Sequence, residues 1–382
     1  VVVGIIDCLR VKVKCLTVVF LLMRPANFLV FLVVISVVLT APVTAQGWFV
    51  ALNSSQVGVI ISPQNSTYIL NALSNARHCV YIEAYELTYQ PLVNELVSLA
   101  GHGVSVYIVL SGNVYGGIPE DEYSAVSELV SAGAHVSFNY MYDFVHSKVF
   151  VIDNETVILG SINPTYYGFE HDLGIDLVIN NATIAKVFAE VILSDYYNET
   201  PPQIGYPGIV VSPINSAEYL GDLLNQPGPL YVAIEELYPS SNMYSYIEGH
   251  TDRVVLVGEH SENDYAVSEL GAVMVPGLTA KAIVVGNYVY VGSVNLDYES
   301  LHNNRELGII IENPVVAEEV RDVILQWYGE YASKTTQQEG QISRGLQLPT
   351  TTLLLLIILL ILFYTARQLM RPRRRRRRHV LN

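Results

Sequence analysis

His146 and Lys148 are separated by one residue and followed by Asp153 and by Gly160-Ser161-Ile162-Asn163. On an extended strand, side chains at i and i+2 share a face, so His146 and Lys148 point the same way. The runs Lys148 to Ile152 and Thr156 to Leu159 are apolar and rich in β-formers, and Asp153-Asn154-Glu155 between them predicts a hairpin turn. A short hairpin brings the Gly-Ser-x-Asn turn back beside the histidine and lysine. Imidazole, ammonium, hydroxyl and carboxamide then converge on one spot. That set suits a phosphate diester: a nucleophile or base, a fixed cation, and neutral donors for the non-bridging oxygens.

Lysine is scarce enough to sharpen this reading. Between residues 46 and 349 there are four lysines, Lys148, Lys186, Lys281 and Lys334. Two of them recur at matching places, Lys148 12 residues before Gly160 and Lys281 11 before Gly292. They belong to a larger duplication. Gly58-Val-Ile-Ile-Ser-Pro-Gln-Asn-Ser66 matches Gly208-Ile-Val-Val-Ser-Pro-Ile-Asn-Ser216 at eight of nine positions, counting swaps between β-branched residues. Ala125 to Leu129 matches Ala266 to Leu270, and Gly160 to Asn163 matches Gly292 to Asn295, in the same order. Two homologous domains follow, over 46–200 and 201–333.

Each copy alternates strand and helix patterns. Val80 to Ala84 and Val104 to Leu110 read as buried strands. Pro91 to Ala100 carries a helical apolar stripe, and Glu122 to Ala132 repeats it. In the second copy Ala282 to Val285 and Tyr288 to Val291 flank Gly286-Asn287 as a second hairpin. The predicted fold class is α/β, with an α/β sandwich in each half.

These motifs resemble those of the phospholipase D superfamily, whose signature is His-x-Lys-x4-Asp followed by Gly-Ser-x-Asn, usually present twice. His146, Lys148, Asp153, Gly160, Ser161 and Asn163 fit it, and Gly292 to Ser300 with Asn304-Arg305-Glu306 is similar to the bacterial cardiolipin synthase branch. The resemblance implies two tandem homologous domains and a covalent phosphohistidine without a metal or other cofactor. One motif histidine attacks phosphorus, and the other protonates the leaving alkoxide. It implies that Lys148, Lys281, Ser161, Ser293, Asn163 and Asn295 hold the phosphate oxygens. A carboxylate after each Gly-Ser-x-Asn orients a histidine; Glu306 matches, and Asp172 is the nearest candidate in the first copy, in a segment shorter by two residues. The second copy departs from the pattern. It reads Thr279-Ala-Lys281, with threonine at the histidine position and Gly286 at the aspartate position. Loss of a general acid costs ~10²–10⁴ in rate. Three readings follow: another group such as His171, His260 or His302 supplies the proton; the substrate needs little protonation; or the protein binds phosphodiesters without turning them over.

The charge distribution bears on the partner. The net charge of −15 hides a segment 46–349 with 9 basic and 35 acidic residues. Such a surface repels polyanions, so nucleic acid is a poor fit and a phospholipid or another phosphodiester is the expected substrate, with an exported nuclease as the minor alternative if a local cationic cleft overrides the average field. Residues 334–349 read as a stalk and 350–366, centred on LLLLIILLILF, as a membrane span. The Arg-rich tail 367–382 places that end in the cytoplasm. Within 1–45, Met23 begins a basic, apolar, small-residue sequence expected to be a signal peptide or signal anchor, preceded by an upstream extension. The expected location is a cell membrane with the domains outside, single-pass, or two-pass if the signal stays. Sequons at Asn53, Asn65, Asn154, Asn181 and Asn198 fit a glycoprotein. Glu83, Glu86, Glu235 and Glu236 sit at strand ends and are expected to be solvated, and Phe138 to Tyr142 to pack as ordinary aromatics.

Overall fold

The computed structural model describes residues 47–200 and 204–345, with 355 and 358–365 near the C-terminus. The first half holds β2 (Val57–Ile61), β3 (Cys79–Ala84), β4 (Ser105–Ser111), β5 (His135–Asn139), β6 (Lys148–Ile152), β7 (Thr156–Gly160) and β8 (Ile175–Asn180). They form one sheet in the order β2-β8-β7-β6-β3-β4-β5, parallel from β3 to β5 and antiparallel elsewhere. The second half repeats it with β9 (Ile209–Ser212), β10 (Leu230–Ile234), β11 (Arg253–Gly258), β12 (Val273–Val275), β13 (Lys281–Val285), β14 (Tyr288–Gly292) and β15 (Glu306–Glu312). There β15, β14, β13, β10, β11 and β12 follow one another, and β9 pairs with β15. Both predicted hairpins form. The short strand β1 (Val50–Ala51), assigned by sequence to the first copy, pairs instead with Ile311 and Glu312 of the second sheet.

Alternation along the central strands sorts their side chains into two cores. Val149 and Val151 of β6 share an apolar cluster with Ala282 and Val284 of β13, so one core spans both halves. Phe150 and Ile152 belong to an outer core with the Thr67–Leu73, Gln90–Gly101 and Glu120–Ser131 helices. Ile283 and Val285 do the same on the second half. A sheet buried on both faces needs the near-continuous Val/Ile runs seen in the sequence. Each fully buried Val, Ile or Phe contributes about 1.5–3 kcal/mol.

The Pro314–Gly345 helix packs Val316, Val320, Ile324 and Trp327 into the shared core, a helical spacing. It runs past the expected domain end at 333 and through most of the predicted stalk. Among the described residues no helix is long and apolar enough to cross a membrane. The signal region 1–45, most of the span 350–366 and the arginine tail lie outside the described residues.

Candidate active site

The halves meet by exchanging backbone bridges. Val145 of the first pairs with Arg305 of the second, and Leu278 of the second pairs with Leu173 of the first. His146 N donates to Arg305 O at 2.8 Å, and Arg305 N donates to Phe144 O at 2.8 Å. Thr279 N donates to Leu173 O at 3.1 Å on the matching side. Each bridge therefore sets the chain at the motif position of one half against the segment just ahead of the last strand of the other.

On one side that juxtaposition makes a dyad. His146 Nδ1 lies 3.1 and 3.2 Å from the two carboxylate oxygens of Glu306, which is fully buried. Ser300 Oγ at 3.0 Å and Asn304 Nδ2 at 3.4 Å also donate to Glu306. A carboxylate on Nδ1 fixes that nitrogen as the N–H and leaves Nε2 as the lone-pair nitrogen. Burial, then the charge of Lys148, push the imidazole below its ordinary pKa despite Glu306. For Glu306, burial alone would raise the carboxyl, but His146 and Lys148 hold it low.

On the other side both members of the dyad are missing. Ser161 and Ser293 make the same contacts with Ile175 and Leu307, so the two segments align without a gap and the position of Glu306 is Gly174, not Asp172. There is no two-residue deletion. The predicted histidine-orienting role of Asp172 has no histidine to serve, because Thr279 stands there. Asp172 lies near Glu235 and Lys281; burial, then Glu235, push its carboxyl up.

Both lysines are fully buried at the starts of β6 and β13. Lys148 Nζ donates to the His146 carbonyl and lies 5.7 Å from the Tyr85 ring. Burial, then the charge of Lys281, push Lys148 down to about 7. Lys281 Nζ pairs with Glu235 at 2.5 Å. Burial would raise Glu235, but Lys281 and His260 outweigh it and hold the carboxylate ionised. Strand register puts Glu235 at the position of Tyr85, since Ala84 faces Lys148 and Ile234 faces Lys281.

The remaining predicted site residues divide. Asn163 Oδ1 is buried without a hydrogen-bond partner among the described residues. Asn295 lines the cleft and exchanges hydrogen bonds with Glu236. The Ser161 and Ser293 hydroxyls are taken up by the backbone of Ile175 and Leu307, so they pin turn to strand rather than face a phosphate. Asp153 is not at the site. It sits at the far end of β6, and its carboxylate accepts the backbone N–H groups of Arg77, His78 and Cys79 at 2.7–3.2 Å. Its φ of 53° is left-handed, which aspartate tolerates better than alanine. Asp153→Ala is expected to cost about 1–2 kcal/mol in urea unfolding and leave kcat/KM unchanged.

Of the four strand-end glutamates expected in solvent, Glu83 is fully buried beside Ser147, and Glu235 and Glu236 line the cleft. Glu86 is partly buried. Strand-end position did not distinguish these environments, because they are set by residues distant in the chain, Ser147 for Glu83, Lys281 and His260 for Glu235, and Asn295 for Glu236. In the predicted aromatic cluster Tyr140 and Met141 are exposed, while Tyr142 is drawn to Arg305. Tyr85, Tyr115 and Phe144 instead line the cleft of about 800 Å³ with His146. Asp176 escaped sequence reasoning: buried under the Gly-Ser-x-Asn turn, it accepts Ser161 N and Ile162 N at 2.7 and 3.0 Å. Burial, opposed by these hydrogen bonds, raises it to about 7.

A family model described as "Cardiolipin synthase, PLD-like domain" matches residues 69–196 and 265–327, which include both lysines, both Gly-Ser-x-Asn turns and Glu306. A protein named phospholipase D from Rickettsia bellii is 26% identical over 145 residues, 37% of this chain and 70% of that protein. Cardiolipin synthase 1 from Staphylococcus epidermidis is 26% identical over 129 residues, 32% of this chain and 25% of that protein. The solved phosphatidylserine synthase of Haemophilus influenzae covers 72% of this chain and 87% of its own at 14% identity, with a TM-score of 0.54, a likeness of fold. With its duplicated sheets, its paired buried motif lysines and the family match over both halves, the chain belongs to the phospholipase D superfamily.

Proposed function

We propose that this protein is a phosphodiesterase or transphosphatidylase that acts on a phospholipid through His146. The observation that carries this reading is the His146–Glu306 dyad joined across the two halves beside two buried lysines. Nε2 attacks phosphorus, forming a P–N bond as the P–O bond to the leaving group breaks. The electron pair leaves with that oxygen, which takes a proton. Water or an acceptor alcohol then attacks phosphorus, loses its proton, and returns the P–N electron pair to Nε2. Lys148, Lys281, Asn163 and Asn295 would hold the non-bridging oxygens, and an entering phosphate would draw a proton back onto Lys148. Relatives named for phospholipase D and cardiolipin synthase support a lipid substrate. The hydrophobic and Arg-rich C-terminal sequence supports membrane attachment with that end cytoplasmic.

A second reading is favoured by one observation, the joint loss of histidine at Thr279 and carboxylate at Gly174: the cleft would bind a diester without turnover. One experiment separates the two. The full chain and its His146→Ala variant are given phosphatidylcholine vesicles and a nitrophenyl phosphodiester, and an alkaline quench preserves phosphohistidine for mass spectrometry. Turnover with an adduct on the His146 peptide, both absent in the variant, supports the enzyme. Turnover unchanged in the variant rules out His146 as nucleophile. Binding without turnover in a folded wild type establishes the second reading.

A further inference from the structure

We propose that His260 donates the proton to the leaving oxygen, the task that Thr279 cannot perform, and that Glu235 orients it. This inference rests on the phosphodiesterase reading above. His260 follows β11 and lines the same cleft as His146. Its Nε2 lies 3.7 Å from Glu235 Oε1, while Glu235 Oε2 is held at 2.5 Å by Lys281. A carboxylate anchored by the second-half lysine thus stands beside a histidine from the loop after β11, next to a site whose own dyad is gone.

The ring also lies close to the vacancy. A Cβ built on Gly258 would meet His260 Cδ2 at 3.0 Å and the Leu278 carbonyl at 3.2 Å. Leu278 immediately precedes Thr279, so the glycine lets the imidazole approach the backbone that carries the threonine. Thr279 Oγ1 is itself buried with no hydrogen-bond partner among the described residues. The other two candidate histidines go elsewhere. His171 packs on Tyr166 and Tyr167, and His302 on Tyr298; neither lines the cleft. The nearby Glu235 carboxylate raises the His260 pKa against burial, and the charges of Glu236 and Glu262 add to it. An imidazolium is the form a proton donor needs.

The step balances. As His146 Nε2 bonds to phosphorus, the P–O bond breaks and the oxygen takes both its electrons and the His260 proton. Neutral His260 then accepts a proton from the attacking water or alcohol, and the P–N pair returns to His146.

The test compares full-chain wild type, His260→Ala, His260→Gln and Asp172→Asn on two diesters, one with an alkyl and one with a nitrophenol leaving group. The His260 variants are expected to lose ~10²–10⁴ in kcat on the alkyl diester and less than about tenfold on the nitrophenyl diester. Added imidazole should restore alkyl turnover in His260→Ala. Equal losses on both substrates, no loss on either, or a leaving-group-selective loss in Asp172→Asn instead would overturn the assignment. Thermal unfolding of both His260 variants separates misfolding from chemistry. A folded wild type inert on both diesters defeats the phosphodiesterase reading itself, and shows it before any His260 variant is made.

Discussion

Glu306→Gln is expected to lower kcat by on the order of 10³–10⁴ while the protein stays folded, the scale seen when a carboxylate that fixes a catalytic histidine's tautomer becomes an amide. The amide is nearly isosteric and can still meet Ser300 and Asn304. What it changes is the proton on His146. A carboxylate accepts only, so it selects the Nδ1–H tautomer and leaves Nε2 able to attack. A glutamine can present its NH₂ to Nδ1, which puts the proton on Nε2 and removes the nucleophile. The pH profile tells this from a packing defect. In the proposed mechanism His146 must be neutral to attack, and burial with Lys148 already depresses its pKa below 6.5. The acid limb of kcat in the wild type should therefore rise through a value below 6.5. Glu306 is the group that opposes this depression, so its removal moves the limb to still lower pH as the plateau falls. A kcat within about tenfold of wild type, or a limb that moves up, would show that Glu306 does not govern the histidine.

The local parts of this site were legible in the sequence because they depend on short-range rules. The i, i+2 spacing placed His146 and Lys148 together, and the duplicated hairpins placed the Gly-Ser-x-Asn turns beside the lysines. Lys148 and Lys281 stood out because a chain so poor in lysine repeats two of them in register. The carboxylate of the first copy was misplaced for a definite reason. Choosing Asp172 by residue type required a two-residue deletion, whereas counting 14 residues from Gly292 to Glu306 and from Gly160 reaches Gly174. That count was available, and it shows the second dyad lost at both ends. The contacts between residues distant in the chain were not legible. Glu306 reaches His146 over 160 residues, and Glu235 meets His260 from a neighbouring parallel strand. Neither pairing leaves a periodicity in the chain.

The largest stability effect is expected from Arg305→Met, at about 3–5 kcal/mol in chemical denaturation. Arg305 is fully buried. Its Nε lies 2.7 Å from Asp195, which comes from the Ala182–Tyr196 helix of the first half, and its guanidinium also meets the Tyr142 hydroxyl and, at 2.8 Å, the Ser212 carbonyl. Burial, then Asp195, push nearby Glu83 well above the ordinary carboxyl range, toward its neutral form, so Arg305 and Asp195 stand as the ion pair. Deleting the cation leaves the buried Asp195 carboxyl without its ion-pair partner. The penalty is desolvation without compensation rather than the net worth of the pair. Asp195→Leu combined with Arg305→Met should therefore be more stable than Arg305→Met alone, because the stranded charge is gone. A denaturation cost under about 1 kcal/mol for the single variant would mean that water reaches Asp195 and the pair is not a buried latch. The effect on catalysis should differ from that of Glu306→Gln. Arg305 holds His146 through its own backbone carbonyl and precedes Glu306 in the chain. Loosening it shifts the dyad without removing the carboxylate. Turnover then falls with the acid limb near its wild-type position, so the two variants separate a contact that carries chemistry from one that keeps the two halves in register.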